Sequence, residues 1–384
     1  MKEMDVILSE EELYYSLFSE VSGLGDKFFS GLMAMAGSVK AAFYLEDKHL
    51  ESLGGSKGIL KEFRVFRNEL KRRFVSAECI EEWKREQLAR LSEKGIRYFS
   101  RISPGFPSKL KHIPDPPIGI WLNGSVSELE APMIAMIGAR SCSGYGRKMA
   151  SEFAEAFAAA GITIISGMAR GIDGISQRSA LLAGGKSIAV LGCGVDICYP
   201  GENRDIFEAL PLSGGILSEY APGTAPRSIL FPRRNRLISG LGDVLMVVEA
   251  RIQSGTSITV DMALEQGREV YVIPGRATDA LSEGCNELLR QGAHPVTSPA
   301  QLLEELGYKK KGKRERKTLP PFEDSLQQVI YEALEENPVT IEELAAILET
   351  EGRDLDYLSL SRKLSHMVIE GWVIQPHSGF FARA

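Results

Sequence analysis

The sequence predicts an α/β protein whose centre is a doubly wound parallel sheet. An N-terminal helical region and a small C-terminal helix-and-hairpin domain flank it. Three observations lead there. Between 133 and 273, short continuous apolar runs alternate with amphipathic stretches of about twelve residues, the pattern of parallel strands covered on both faces. Glycine-rich loops follow those runs, at the edge where open parallel sheets bind ligands. From 325 onward, three amphipathic stretches precede two short apolar runs around Gly379, the order of a winged helix.

The bulk properties set bounds on function. A chain of 384 residues with 44% apolar and 25% charged residues has the composition of a globular protein and the length for more than one domain. Its net charge of −6 argues against coating nucleic acid by bulk charge, while leaving room for a local basic site. Cys79, Cys142, Cys193, Cys198 and Cys285 form neither a Cys-x-x-Cys pair nor a zinc-spaced set with histidine. A reducing, cytoplasmic compartment is therefore expected. Glu10-Glu11-Glu12 and the absence of a charged n-region before an apolar stretch predict no signal peptide. No apolar run approaches the roughly 18 residues of a membrane span.

Residues 9 to about 75 read as helical, because Glu11 to Val21 and then Phe28, Phe29, Leu32 and Met33 recur at helical spacing. Ser22-Gly23-Leu24-Gly25 between them fits a helix-hairpin-helix, whose glycine turn brings backbone N–H groups to a phosphate. A plain helical hairpin or a small protein-binding domain fits as well. Lys57 to Arg73 is a basic helix, expected to be a solvated face. Another helix ends at Lys94-Gly95, and Ile96–Phe99 is a short strand. The prolines of 104–117 fix extended or turn geometry. They predict an arm leading into the main domain, with Ile120 and Trp121 packing against it.

The parallel strands are expected at Met133–Ile137, Ile162–Ser166, Ser187–Leu191, Gly215–Leu217, Val244–Glu249 and Val270–Ile273. Helices are expected at about 145–160, 172–184, 256–267 and 283–291, with a short one near 203–209. This is a Rossmann-like order. Phe231-Pro-Arg-Arg-Asn-Arg236 follows a patternless loop and precedes a strand, so it is placed at the rim of the sheet as a segment too basic for the core; taken alone, a solvated helix start with its arginines salt-bridged to nearby acids fits as well. Its arginine forks match phosphate oxygens, and Phe231 offers a flat face to a base. Residues 309–317 hold seven Lys or Arg and one Glu and read as a linker. In the winged helix, the third helix carries Arg362, Lys363 and His366 in acidic surroundings, which favours protein contact or regulation over DNA.

The chemistry is expected on the loops after the strands. Gly138, Arg140 and Ser143 follow the first, Gly167 and Arg170 the second. Phe231, Arg233, Arg234, Asn235 and Arg236 follow the fourth, and Ser254, Gly255 and Thr256 the fifth. Glycines there let backbone N–H groups at helix starts face an anion, and hydroxyls and arginines add donors and charge. Lys186 precedes its strand and belongs to the opposite edge. The first loop is not G-x-G-x-x-G, and the second strand ends without the acid that holds a ribose, which disfavours NAD. No P-loop, Ser/His/Asp set or Cys/His set is present, so no catalytic residue, cofactor or metal is expected. Asp173 and Glu249 remain as candidate acids, Asp173 equally as a cap or arginine partner.

These loops resemble the DNA-processing protein A family (DprA, also called Smf). The matching stretches are Gly138-Ala-Arg-Ser-Cys-Ser-Gly-Tyr-Gly146, Ser166-Gly-Met-Ala-Arg-Gly-Ile-Asp173, and Ile188-Ala-Val-Leu-Gly192 with Tyr199-Pro200. Phe231-Pro-Arg-Arg-Asn-Arg236, Ser254-Gly-Thr-Ser-Ile-Thr259, and Pro274-Gly275 with Gly284-Cys-Asn286 follow in the same order. The resemblance covers about 105–300. It implies a non-enzymatic cytoplasmic protein that binds single-stranded DNA, protects it during natural transformation and hands it to the RecA recombinase. It also implies a homodimer formed through the sheet domain, with Arg140 and the arginine segment on phosphates and Phe231 on a base. The family commonly has histidine a few residues after Gly-Ile-Asp, where this chain has Gln177. The alternative is a Rossmann-like nucleotide phosphoribohydrolase, but its Pro-Gly-Gly-x-Gly-Thr-x-x-Glu motif is not matched, since Glu265 lies too far beyond Thr256. The expected domains are 1–100 (helical), 101–308 (Rossmann-like, with its entry arm), 309–322 (linker) and 323–384 (winged helix).

Overall fold

The computed structural model describes residues 9–21, 24–51, 57–308, 322, 324–334, 339–350, 357–377 and 379–383. Phe322 apart, the linker at 309–322 lies outside them, as do Ser22 and Gly23 of the expected helix-hairpin-helix turn. The described residues up to Tyr308 belong to one compact unit and those from Phe322 onward to a second.

Six helices open the first unit: α1 (Glu10–Ser19), α2 (Asp26–Ala36), α3 (Val39–Tyr44), α4 (Asp47–Glu51), α5 (Lys57–Arg73) and α6 (Ala77–Glu93). Ser9 caps α1 in a reciprocal box with Glu12, the pairing that satisfies two otherwise orphaned N–H groups. Phe18 of α1 stacks on Phe63 of α5, their centroids 5.1 Å apart. This aromatic core runs without a break through Tyr98 and Trp121 to Leu191 and Ile216, so the helices rest on one face of the sheet.

The chain then alternates. In order come β1 (Ile96–Ser100), α7 (Ser108–Lys111), β2 (Gly119–Gly124), β3 (Met133–Ile137), α8 (Gly144–Ala159), β4 (Thr163–Ser166), α9 (Ile172–Leu182) and β5 (Ser187–Leu191). They are followed by α10 (Arg204–Ala209), β6 (Gly214–Ser218), α11 (Leu230–Leu241), β7 (Val244–Val247), α12 (Gly255–Glu265), β8 (Glu269–Val272), α13 (Glu283–Arg290), β9 (His294–Pro295) and α14 (Pro299–Glu305). The sheet order is β1-β2-β6-β5-β4-β3-β7-β8-β9. From β6 to β9 all pairings are parallel. Alternate residues of β3 show the double cover: Ile134 and Met136 meet Phe153 and Phe157 of α8, whereas Ala135 and Ile137 meet Leu237 and Leu241 of α11.

Two expectations are corrected. The Pro-rich arm does not merely lean on the domain. Its end is β2, which pairs antiparallel with β6 and with β1, so the parallel sheet gains an antiparallel edge. The expected boundary at residue 100 coincides with the end of that edge strand. The arginine segment is not wholly outside the core: it forms the first turns of α11, with Arg234 and Arg236 buried.

The chain steps from β3 through β4 and β5 to β6 in one direction, then crosses to β7 on the other side of β3. The change of direction thus falls between β3 and β7, and the carboxyl edge there is the crevice position at which such sheets bind ligands.

The second unit contains α15 (Ser325–Ala333), β10 (Val339–Thr340), α16 (Ile341–Thr350), α17 (Tyr357–Ile369), β11 (Val373–His377) and β12 (Phe380–Arg383), with sheet order β10-β12-β11. Leu344, Leu348, Leu360 and Leu364 form its core with Val373 and Phe381. Three helices thus precede the β11–β12 hairpin. Asp324 caps α15 and pairs with Lys363 of α17.

Candidate nucleic-acid interface

The crevice is built from loops that hold each other. The Ala139 N–H donates to the Glu249 carbonyl (2.7 Å), and the Ile172 N–H donates to the Ala139 carbonyl (3.2 Å). A Cβ at Gly138 would sit 2.7 Å from Ile172 Cγ1 and 2.8 Å from the Glu249 carbonyl oxygen. Gly138 is thus required for loop packing, not for the approach of an anion as expected.

Glu249 has an internal task. Buried beneath the start of α8, its carboxylate accepts the Ser143 N–H (2.8 Å) and hydroxyl (2.6 Å). The Ser143 oxygen in turn accepts the Gly146 N–H (3.0 Å). The positive end of α8 is therefore answered by the protein's own carboxylate, and Ser143 is spent within it. Asp173 lies in the first turn of α9 and accepts the Gly167 N–H (3.1 Å). Burial pushes its carboxyl up from the ordinary value, and the Arg234 charge opposes that push.

Arg234 and Arg236 overturn the reading that the segment is too basic for the core. Arg234 is only 4% exposed. Its Nη1 donates to the Gly167 carbonyl (2.9 Å) and to the Val190 carbonyl, tying α11 to the ends of β4 and β5. Burial lowers its basicity, opposed by Asp173. With Asp173 it clamps Gly167, where a Cβ would meet Arg234 Nη2 at 2.6 Å and Asp173 Oδ2 at 2.7 Å. Arg236 forks onto Glu219 (3.0 and 2.6 Å) and donates through Nε to the Asp115 carbonyl (2.8 Å), so it staples the entry arm to the sheet. Neither fork is open to a phosphate. Asn235 is half-buried and accepts the Arg234 Nε–H at 3.3 Å. Gln177 is buried as well, donating to the Ser187 hydroxyl at 3.1 Å. It holds α9 to the start of β5, away from the crevice.

The rim retains a different set of groups. Arg140 and Arg233 are exposed and have no ion-pair partner among the described residues. Arg170 is exposed and donates to the equally exposed Glu202 (3.0 Å). Phe231 is half-buried over Gly192, where a Cβ would approach its ring to 2.6 Å. Its other side stacks on Tyr199, with centroids 5.5 Å apart and planes 23° apart. Tyr199 is 46% exposed and follows directly on the loop after β5. The flat face assigned to Phe231 is thus presented by the pair, with Tyr199 outermost. The single-residue reading missed Tyr199, although Tyr199-Pro200 stands among the family-like stretches.

One helix start at the crevice carries no internal acid. Ser254 precedes α12 without a side-chain cap. Its hydroxyl is buried without a partner, and a Cβ at Gly255 would face open space. Thr256 is buried. Lys186, excluded from the site, pairs with Glu128 (2.5 Å).

The comparisons with known proteins agree with the fold. The family model described as DNA recombination-mediator protein A matches residues 97–307. The DNA processing protein DprA of Streptococcus pneumoniae is 39% identical over 210 residues, 55% of this chain and 74% of that protein. The protein Smf of Escherichia coli is 41% identical over 204 residues, 53% of this chain and 54% of that protein, so the match spans about half of it. The crystal structure of the S. pneumoniae protein superposes with a TM-score of 0.59 at 30% identity, covering 78% of this chain and 98% of that one. A structure of DNA processing protein A from Helicobacter pylori, described for its single-stranded DNA binding mode, superposes with a TM-score of 0.51 at 29% identity, covering 56% and 97%.

Proposed function

This chain belongs to the DNA recombination-mediator protein A family, and from that premise we propose that it binds single-stranded DNA at the carboxyl edge of its sheet. The observation that carries the reading is the division of labour at the rim. Arg140 and Arg233 are exposed and have no ion-pair partner among the described residues, and Arg233 follows closely on the Tyr199–Phe231 stack, while Arg234 and Arg236 are consumed by the fold. Phosphate contacts from free forks position a strand without reading its sequence, and aromatic faces stack any base. The uncapped start of α12, with the orphaned Ser254 hydroxyl, offers one more place for a phosphate oxygen.

The same reading extends to DNA processing in transformation, with the strand protected and passed to the RecA recombinase by a cytoplasmic homodimer. Its support is the family membership and the named relatives. In this reading the protein is a binder and not an enzyme. The two acids nearest the crevice serve the fold, Glu249 through Ser143 and Asp173 through Gly167.

The experiment is fluorescence anisotropy of a labelled oligo-dT and of a duplex of equal length at several salt concentrations. Preference for the single strand, with log K falling by about 0.7 per phosphate contact, is the expected result. Equal binding of both, or none at low salt, removes the reading.

A further inference from the structure

A cavity of about 380 Å³ opens between the α1–α2 hairpin and the carboxyl edge of the sheet. That lies at the lower end of the roughly 300–1,000 Å³ typical of small-ligand sites. Its lining is mixed, with Phe18, Leu24, Phe28 and Tyr220 supplying apolar and aromatic surface among charged side chains. The charges around it do not cancel at random. Glu20 is paired with Lys84, Asp26 with Arg101 at 2.6 Å, and Asp115 and Glu219 with Arg236 at 3.0 and 2.6 Å. Arg236 alone answers two of these carboxylates, and the two charged lining groups outside any ion pair are both cations, Lys27 and Arg233. Both are exposed, and neither has an ion-pair partner among the described residues. Arg233 is shared: it lines this cavity and stands two residues from Phe231 at the proposed strand site.

We propose that this cavity seats one nucleotide of the bound strand, its base on the apolar surface and its phosphate between Lys27 and Arg233. The α1–α2 hairpin is then part of the interface and not only a helical cover for the sheet. The inference rests on the single-strand reading and deepens it. An aromatic and aliphatic surface accepts any base, and two cations outside any ion pair select an anion. A base beside a phosphate meets both demands.

The test uses the full-length protein and three measurements. Lys27 is exposed and has no ion-pair partner among the described residues, so Lys27→Ala is expected to fold as wild type, checked by circular dichroism. It should lower oligo-dT affinity by about tenfold or more and reduce the salt slope by about 0.7, the value of one phosphate contact. Oligo-dT carrying 5-iodouracil at successive positions should cross-link, at one position, to Phe28 or Tyr220, as mapped by mass spectrometry. Unchanged affinity and slope in folded Lys27→Ala, together with cross-links confined to Tyr199 and Phe231, would overturn the proposal while leaving the strand reading intact. Should the protein bind no strand at all, the strand reading falls and titration with dTMP decides the cavity. Saturable dTMP binding weakened by Lys27→Glu retains a nucleotide site there, and no saturation removes it.

Discussion

Arg234 and Arg236 point into the protein, whereas Arg233 and Arg140 end in solvent at the same edge of the sheet. The inner pair is spent on carbonyls and carboxylates that belong to the fold: Gly167, Val190, Asp115 and Glu219. The outer pair has no ion-pair partner among the described residues. The contrast teaches that a run of arginines is not one functional unit. Its inner members stiffen the platform, and its outer members remain free for a ligand.

The comparison breaks or holds first on stability. Arg234→Ala leaves the Gly167 and Val190 carbonyls without their donor and the buried Asp173 carboxyl without its opposing charge. Loss of one partner of a buried charged set costs about 3–5 kcal/mol, so the urea midpoint should fall sharply. Arg233→Ala should leave that midpoint within error. If Arg234→Ala instead keeps the wild-type midpoint and loses only DNA, the inner arginine is a ligand group and the division is wrong.

The aromatic pair comes next. Tyr199→Ala removes the outer ring and uncovers Phe231, and Phe231→Ala removes the ring that seats Tyr199 over Gly192. Each should weaken oligo-dT binding by about 1–3 kcal/mol, the worth of a stacked base. The double variant should lose less than the sum, because the two rings form one platform. Full additivity in anisotropy titrations would mean two separate stacking sites.

How much of this was legible beforehand follows from the same contrast. The strands β3 to β8 were legible because each is a short run with an apolar centre, as burial on both faces demands. β2 was hidden by the prolines before it and its polar end, Asn123-Gly124, although it pairs through Trp121 to Gly124. The rim loops were legible as a set, but the role of each residue in them was not. Charge predicts exposure, and Arg236 is buried only because Asp115, 121 residues away, and Glu219, 17 away, come to it. Gly138 and Gly167 looked like seats for an anion, and their crowding by Ile172, Asp173 and Arg234 exists only in three dimensions. Tyr199 became part of the site only when the fold laid it on Phe231.

The smaller effects sharpen the comparison from its outer side. Arg140→Ala and Arg233→Ala should each reduce the salt slope by about 0.7 and weaken all sequences alike. A sequence-dependent loss would mean that one of them reads a base edge. Smallest of all is a surface pair with ideal geometry and no ligand. Arg178 forks onto Asp205 at 2.6 and 2.9 Å, and these hydrogen bonds hold the Asp205 carboxyl below its ordinary value of 3.8. A carboxyl depressed in the folded state adds stability above the unfolded pKa, and that contribution is lost as pH falls through the folded value. Both partners are substantially exposed, so the contribution should stay under about 1 kcal/mol. Arg178→Ala should therefore lower the urea midpoint slightly at pH 7, and the difference should shrink as pH falls through the depressed pKa of Asp205. A loss at pH 7 as large as that of Arg234→Ala would mean that exposure does not set the worth of an arginine pair here, and the distinction between inner and outer arginines would lose its physical basis.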